Sequence, residues 1–74
     1  MKEIKIYTTS WCPYCKSAKR FFDDKNWEYE EINIEEKGWD RSKLLEVGKA
    51  TSVPQIVIDG EAIGGYDDLV RLYS

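Results

Sequence analysis

The sequence predicts an α/β fold in the order β-α-β-α-β-β-α, a four-stranded mixed sheet flanked by helices, in one domain over residues 1–74. Three observations predict it. Strand-like alternation around Ile4 and Ile6 gives way to a helical period running through Cys15, Ala18 and Phe22. The same change recurs after a second apolar run at Tyr29, Ile32 and Ile34. Asp59-Gly60 then separates two short apolar runs, as the centre of a tight hairpin does.

Each element has its own signal. Residues 3 to 8 alternate, with Ile4 and Ile6 on one face and Glu3, Lys5 and Tyr7 on the other. Thr8, Thr9 and Ser10 supply turn and capping chemistry, and Pro13 suits a first helical position, where its missing N–H costs nothing. The first helix runs to about Lys25, with Phe21 widening its apolar stripe and Lys16, Lys19, Arg20, Asp23 and Asp24 outside. Residues 28 to 34 form the second strand, and the strand-helix-strand order predicts a right-handed crossover and a parallel pair. A second helix opens at Gly38 to Asp40, is carried by Leu44, Leu45 and Val47, and stops near Gly48. Ile56, Val57 and Ile58 pair through the Asp59-Gly60 turn with a strand over 61–63. Tyr66, Leu69, Val70 and Tyr73 mark one face of a last helix, and Asp67 and Asp68 in its first turn suit the helix dipole.

Composition narrows the function. Hydrophobic residues at 42 % and charged residues at 34 % describe a chain that folds. Eleven Lys and Arg against fourteen Asp and Glu leave a net charge of −3, without the basic field that binds nucleic acid. Histidine is absent, which removes His-based acid–base chemistry and the commonest metal ligand. The first ten residues lack the apolar run of a signal peptide and no stretch reaches membrane-span length, so a cytoplasmic protein without membrane contact is expected. In a reducing compartment a cysteine pair points to metal or redox chemistry rather than to a permanent staple.

That pair is Cys12-Pro13-Tyr14-Cys15 at a strand-to-helix junction. Cysteines three apart on one helical turn are close enough to form a disulfide. Cys12 sits where unpaired N–H groups and the positive dipole end stabilise a thiolate, whereas Cys15 lies on the apolar stripe. The asymmetry assigns attack to Cys12 and resolution of the mixed disulfide to Cys15. Lys16, Lys19 and Arg20 either add positive potential or form an ordinary solvated face. Zinc is disfavoured, because four N or S ligands are usual and the chain has no His and no second Cys pair.

With Ser52-Val53-Pro54-Gln55, Asp59-Gly60 and Gly64-Gly65-Tyr66-Asp67-Asp68-Leu69 following in order, the chain resembles a dithiol glutaredoxin over almost all of its length. The resemblance implies a thioredoxin-like fold and a glutathione-disulfide oxidoreductase that reduces protein disulfides and protein–glutathione mixed disulfides. Glutathione would be the reducing co-substrate, with no permanently bound cofactor and no metal. The partners implied are glutathione and disulfide-containing or glutathionylated proteins, and the protein is expected to be a monomer. The resemblance further implies that Pro54 is cis and that the Val53 backbone pairs with the peptide-like substrate. Tyr14, Ser52, Val53, Pro54, Asp67 and Asp68 are the implied glutathione-binding residues, supported by Trp11, Pro13, Lys16 and Gly65. Simpler roles stay open beside these: helix capping for Asp67 and Asp68, an exposed ring for Tyr14, and turn geometry for Gly64-Gly65. Between the two acids, Asp68 is slightly preferred for the ligand.

The chain departs from the family pattern at three positions. Thr9 stands where many members have Lys, Trp11 precedes Cys12 where a smaller residue is common, and Ser52 replaces the usual Thr. Lys49 and Lys16 are the candidates to replace the lost cation. Thr9 and Trp11 motivate an alternative, a glutaredoxin-like redoxin reduced by thioredoxin reductase that donates electrons to ribonucleotide reductase. A third reading, disfavoured by Pro13 and Cys15, is a dimeric module holding an iron–sulfur cluster through Cys12 of each chain and two glutathiones.

Overall fold

Ile4–Thr8 form β1, and four of these five residues are buried in the computed structural model, which describes residues 2–73. The remaining elements are α1 (Pro13–Asp24), β2 (Glu30–Asn33), α2 (Ser42–Val47), β3 (Gln55–Ile58), β4 (Glu61–Gly64) and α3 (Tyr66–Tyr73). The element order is the expected one. β1 lies inside a four-stranded sheet of order β2-β1-β3-β4, parallel to β2 and antiparallel to β3, and β3 pairs antiparallel with β4. The sheet is therefore mixed, as the crossover and the hairpin require. Asp59 and Gly60 at the hairpin tip have φ of 53° and 83°, the paired positive values of a tight turn.

The core has two layers because the sheet is covered on both faces. On one face Ile4 and Ile6 register with Ile58 and Ile56, and Ala18 and Phe22 of α1 and Leu69 of α3 close over them. Phe22 is fully buried, its ring 5.3 Å from Tyr29 and 6.3 Å from Trp27 between centroids. Burying such a side chain contributes roughly 1.5–3 kcal/mol. On the other face Tyr7 packs with Ile34 and Leu44, and its ring stacks on Trp39 at 6.2 Å.

Tyr7 corrects the sequence reading, which placed it outward. A central strand between two neighbours, with α2 on the second face, buries both of its sides, and simple alternation cannot announce that. Leu45 is a second correction, since it points to solvent at 57 % exposure, whereas Leu44 is fully buried and Val47 packs half-buried against the same cluster, as expected. That helix also begins later than expected. The Asp40 carboxylate accepts from the Ser42 N–H at 3.0 Å and from the Ser42 hydroxyl, holding the preceding segment in a turn. β2 is shorter than its apolar run, and Tyr29 and Ile34 flank it as core side chains rather than strand residues.

One polar tie joins three elements. The fully buried Thr8 hydroxyl donates to Glu31 Oε2 at 2.9 Å, and Lys19 Nζ donates to the same oxygen at 3.0 Å. Partial burial pushes the Glu31 carboxyl up, but the bonds from Lys19 and Thr8 outweigh it and hold the group below its ordinary 4.5. A carboxyl lowered by folding stabilises the protein above its unfolded pKa, and that contribution is lost as pH falls through the lower folded value. Glu31→Gln should therefore cost up to about 1 kcal/mol at neutral pH, as a half-exposed pair does. The gap from the parent chain should close below about pH 4, a trend that urea melts across pH will check.

Candidate functional site

The chain leaves β1 at Thr8, turns through Thr9 to Trp11, where the Thr9 hydroxyl donates to the Trp11 carbonyl at 3.2 Å, and enters α1. The residue capping that helix is Cys12 itself, rather than Thr8, Thr9 or Ser10. Its backbone is extended (φ −157°, ψ 101°), and its Sγ accepts the Cys15 N–H at 3.1 Å, the bond a serine or aspartate oxygen usually accepts. Pro13 occupies the first helical position as expected. Cys12 and Cys15 form a disulfide with their Cα atoms 5.2 Å apart. Cys15 is 2 % exposed and lies in line with Ala18 and Phe22, whereas Cys12 is 7 % exposed at the head of the helix. Among the described residues no group of three or more His, Cys, Asp or Glu side chains is placed to hold a metal ion.

A groove of about 410 Å³ gathers Tyr14 of α1, Ser52, Val53 and Pro54 ahead of β3, and Gly65, Asp67 and Asp68 at the start of α3. The Val53-Pro54 peptide is cis. Trp11, Pro13 and Lys16 do not line this groove. Trp11 stands 78 % exposed, and Lys16 Nζ lies 5.7 Å from the centre of its ring. Of the two candidate cations, Lys49 lines the groove and Lys16 does not.

The Gly64-Gly65 pair has two separate causes. Gly64 has φ of 110°, and a Cβ there would run into the Asp68 carboxylate. A Cβ on Gly65 would approach the Pro54 carbonyl to 3.3 Å, so the start of α3 sits against the cis-proline backbone. Asp68 then fastens the helix: Oδ2 accepts the Gly65 N–H at 3.1 Å and Oδ1 accepts Arg71 Nη2 at 2.6 Å. This is the back-reaching half of a capping box. Asp67 is exposed and has no salt bridge among the described residues. The two neighbouring acids thus stand in opposite situations, one engaged with its own helix and one exposed beside it.

Four groove residues, Ala50, Gln55, Gly64 and Tyr66, escaped the sequence reading as site residues. Tyr66 brings its ring to 6.3 Å from that of Tyr14, so the groove is flanked by a pair of rings. Gln55 is 1 % exposed, a polar side chain at the inward end of an apolar strand. The signal was present, because a glutamine opening a run of Ile and Val must find partners for its amide if it is buried.

A family model described as glutaredoxin matches residues 4–63. Glutaredoxin 3 from Escherichia coli K12 is 39 % identical over 72 residues, spanning 97 % of this chain and 87 % of its own. A glutaredoxin from Pseudomonas aeruginosa is 42 % identical over 72 residues, spanning 97 % and 86 %. The crystal structure of glutaredoxin 1 from Francisella tularensis, complexed with cacodylate, superposes with a TM-score of 0.77 at 35 % identity and covers 96 % of this chain and 91 % of that one.

The division of labour between the acids is testable by thermal unfolding. Asp68→Ala should destabilise the protein by about 1 kcal/mol through the lost cap, and Asp67→Ala by less than about 0.5 kcal/mol, as for an unpaired surface group.

Proposed function

The chain belongs to the glutaredoxin family and is a thiol–disulfide oxidoreductase, and from that premise we propose that glutathione is its reductant and glutathionylated proteins and protein disulfides its substrates. The observation that carries the reading is the groove that takes in Tyr14, between the two cysteines, and is lined by Lys49 and by Asp67, which has no salt bridge among the described residues. Glutathione carries two carboxylates and one ammonium. Lys49 suits one carboxylate, the free N–H groups at the start of α3 suit the other, and Asp67 suits the ammonium. Tyr14 and Tyr66 flank the tripeptide, Val53 offers its backbone, and Ser52 a hydroxyl. Asp68 serves this site through its cap, by holding α3 in place.

The chemistry is a thiolate relay. Cys12 Sγ attacks the glutathione sulfur of a mixed disulfide; the S–S bond breaks, a Cys12–glutathione disulfide forms, and the released protein thiolate takes a proton. A second glutathione thiolate attacks that sulfur, regenerating Cys12 as a thiolate and leaving as glutathione disulfide. On a protein disulfide, Cys12 forms a mixed disulfide with the substrate. Cys15 then attacks Cys12 Sγ, expelling the reduced substrate and forming the Cys12–Cys15 bond, which two glutathiones reduce in turn. The N–H of Cys15 and the head of α1 favour the anion on Cys12 at each stage. We further assign the protein to the cytoplasm, acting as a monomer without a resident cofactor. Among the described residues no helix is long and apolar enough to cross a membrane.

A second reading rests on Trp11, whose exposed ring adjoins Cys12 where the family usually has a smaller side chain, and on Thr9 in place of the usual Lys. In it, thioredoxin reductase supplies the electrons and ribonucleotide reductase receives them. NADPH oxidation measured with glutathione plus glutathione reductase, and separately with thioredoxin reductase, decides between the two. Turnover with glutathione is expected; turnover with thioredoxin reductase alone transfers the conclusion to the second reading. Cys12→Ser should abolish both activities. Cys15→Ser should keep reduction of a glutathionylated peptide while losing about tenfold or more on a protein disulfide. Lys49→Ala should raise KM for the glutathionylated peptide about two- to fivefold with kcat unchanged, as for one exposed charge pair.

A further inference from the structure

The segment 49–52, which brings Lys49 and Ser52 to the groove, belongs to no helix or strand. Both of its ends are tied to one buried side chain. Gln55 Oε1 accepts the Lys49 N–H at 2.9 Å, and Gln55 Nε2 donates to the Ser52 carbonyl at 2.8 Å. No other orientation of the amide satisfies both groups, because a donor must face the carbonyl and an acceptor the N–H. Arg41 Nη1 adds a bond to the Thr51 carbonyl from the solvent side, at 3.2 Å.

Gly48, just before this segment, is small for the sake of the same amide. Its φ of −132° is one any residue adopts, so no conformational demand explains the glycine. A Cβ there would lie 2.6 Å from Gln55 Oε1 and 2.9 Å from Gln55 Cβ, closer than real atoms approach. An alanine would therefore drive the amide from its place. The end of α2, the segment and the start of β3 thus meet on Gln55.

We infer that Gln55 is a positioning residue for substrate: it presents Lys49 and the Ser52-Val53 backbone to the groove in a fixed arrangement, in a role that rests on the groove being the glutathione site. Without the amide the segment samples other arrangements, and apparent affinity falls in proportion to the fraction that remains competent. The sulfur chemistry at Cys12 is untouched, so the effect falls on KM and spares kcat.

The test measures KM and kcat for a glutathionylated peptide in the glutathione-coupled assay, with folding checked by circular dichroism. Gln55→Met keeps the side chain's length and removes both hydrogen bonds; KM should rise about tenfold, the equivalent of one to two net hydrogen bonds, with kcat within about twofold. Gly48→Ala keeps the glutamine but displaces it, and should raise KM likewise even if Gln55→Met folds poorly. Gln55→Glu supplies a readout that packing alone would not move. Its protonated carboxyl donates to the Ser52 carbonyl and accepts from the Lys49 N–H, whereas its ionised form repels that carbonyl. Burial raises the pKa of such a group, so KM relative to the parent chain should fall towards one as pH drops from about 8 to about 6. Unchanged KM in all three variants, with Lys49→Ala still raising it, overturns the role of Gln55. Unchanged KM in Lys49→Ala as well overturns instead the assignment of the groove to glutathione.

Discussion

The amide N–H of Cys15 reaches the sulfur of Cys12 because a central strand delivers the chain, fully extended, to the head of a helix that Pro13 has already begun. That one donor fixes the sulfur at the place where α1 concentrates its unpaired N–H groups, and it ties the two cysteines into a single unit. The rest of the fold serves to keep the strand and the helix in that relation. Ile4 and Ile6 are trapped beneath Ala18 and Phe22, and Glu31 draws Thr8 and Lys19 together immediately behind the site. A rearrangement at any of these contacts would be felt at the sulfur.

The groove is assembled from three parts of the chain, and in two of them a side chain bonded to the backbone sets the local shape. The start of α3 is closed by Asp68 on Gly65, and the segment before the cis peptide is closed by Gln55 on Lys49 and Ser52. Among the described residues Lys49 and Asp67, which line the same groove, make no salt bridge.

What could be read from the sequence was what local chemistry determines. Pro13 at a helix start, Asp59-Gly60 at a hairpin tip and the Cys15-Ala18-Phe22 stripe each follow from backbone geometry within a few residues, and the structure agrees with all three. Tyr7 was misplaced because its burial depends on a helix that arrives from residues 42–47, on the far face of the sheet. Leu45 was misplaced because a helix of six residues turns only Leu44 and Val47 towards the core and leaves the leucine between them outside. The candidate site shows the same division. Its cysteines were evident from spacing, whereas what sets Asp68 apart from Asp67 is a hydrogen bond to Gly65, and the contact that limits position 48 is visible only once Gln55 lies against it.

Both margins of the sheet are four residues long and carry an exposed glutamate, Glu30 on β2 and Glu61 on β4. A strand margin is a template for another chain, and short, negatively charged margins are a common defence. Two copies approaching side by side would bring like charges together along a ladder too brief to compensate. Short, charged margins of this kind work against side-by-side pairing of copies.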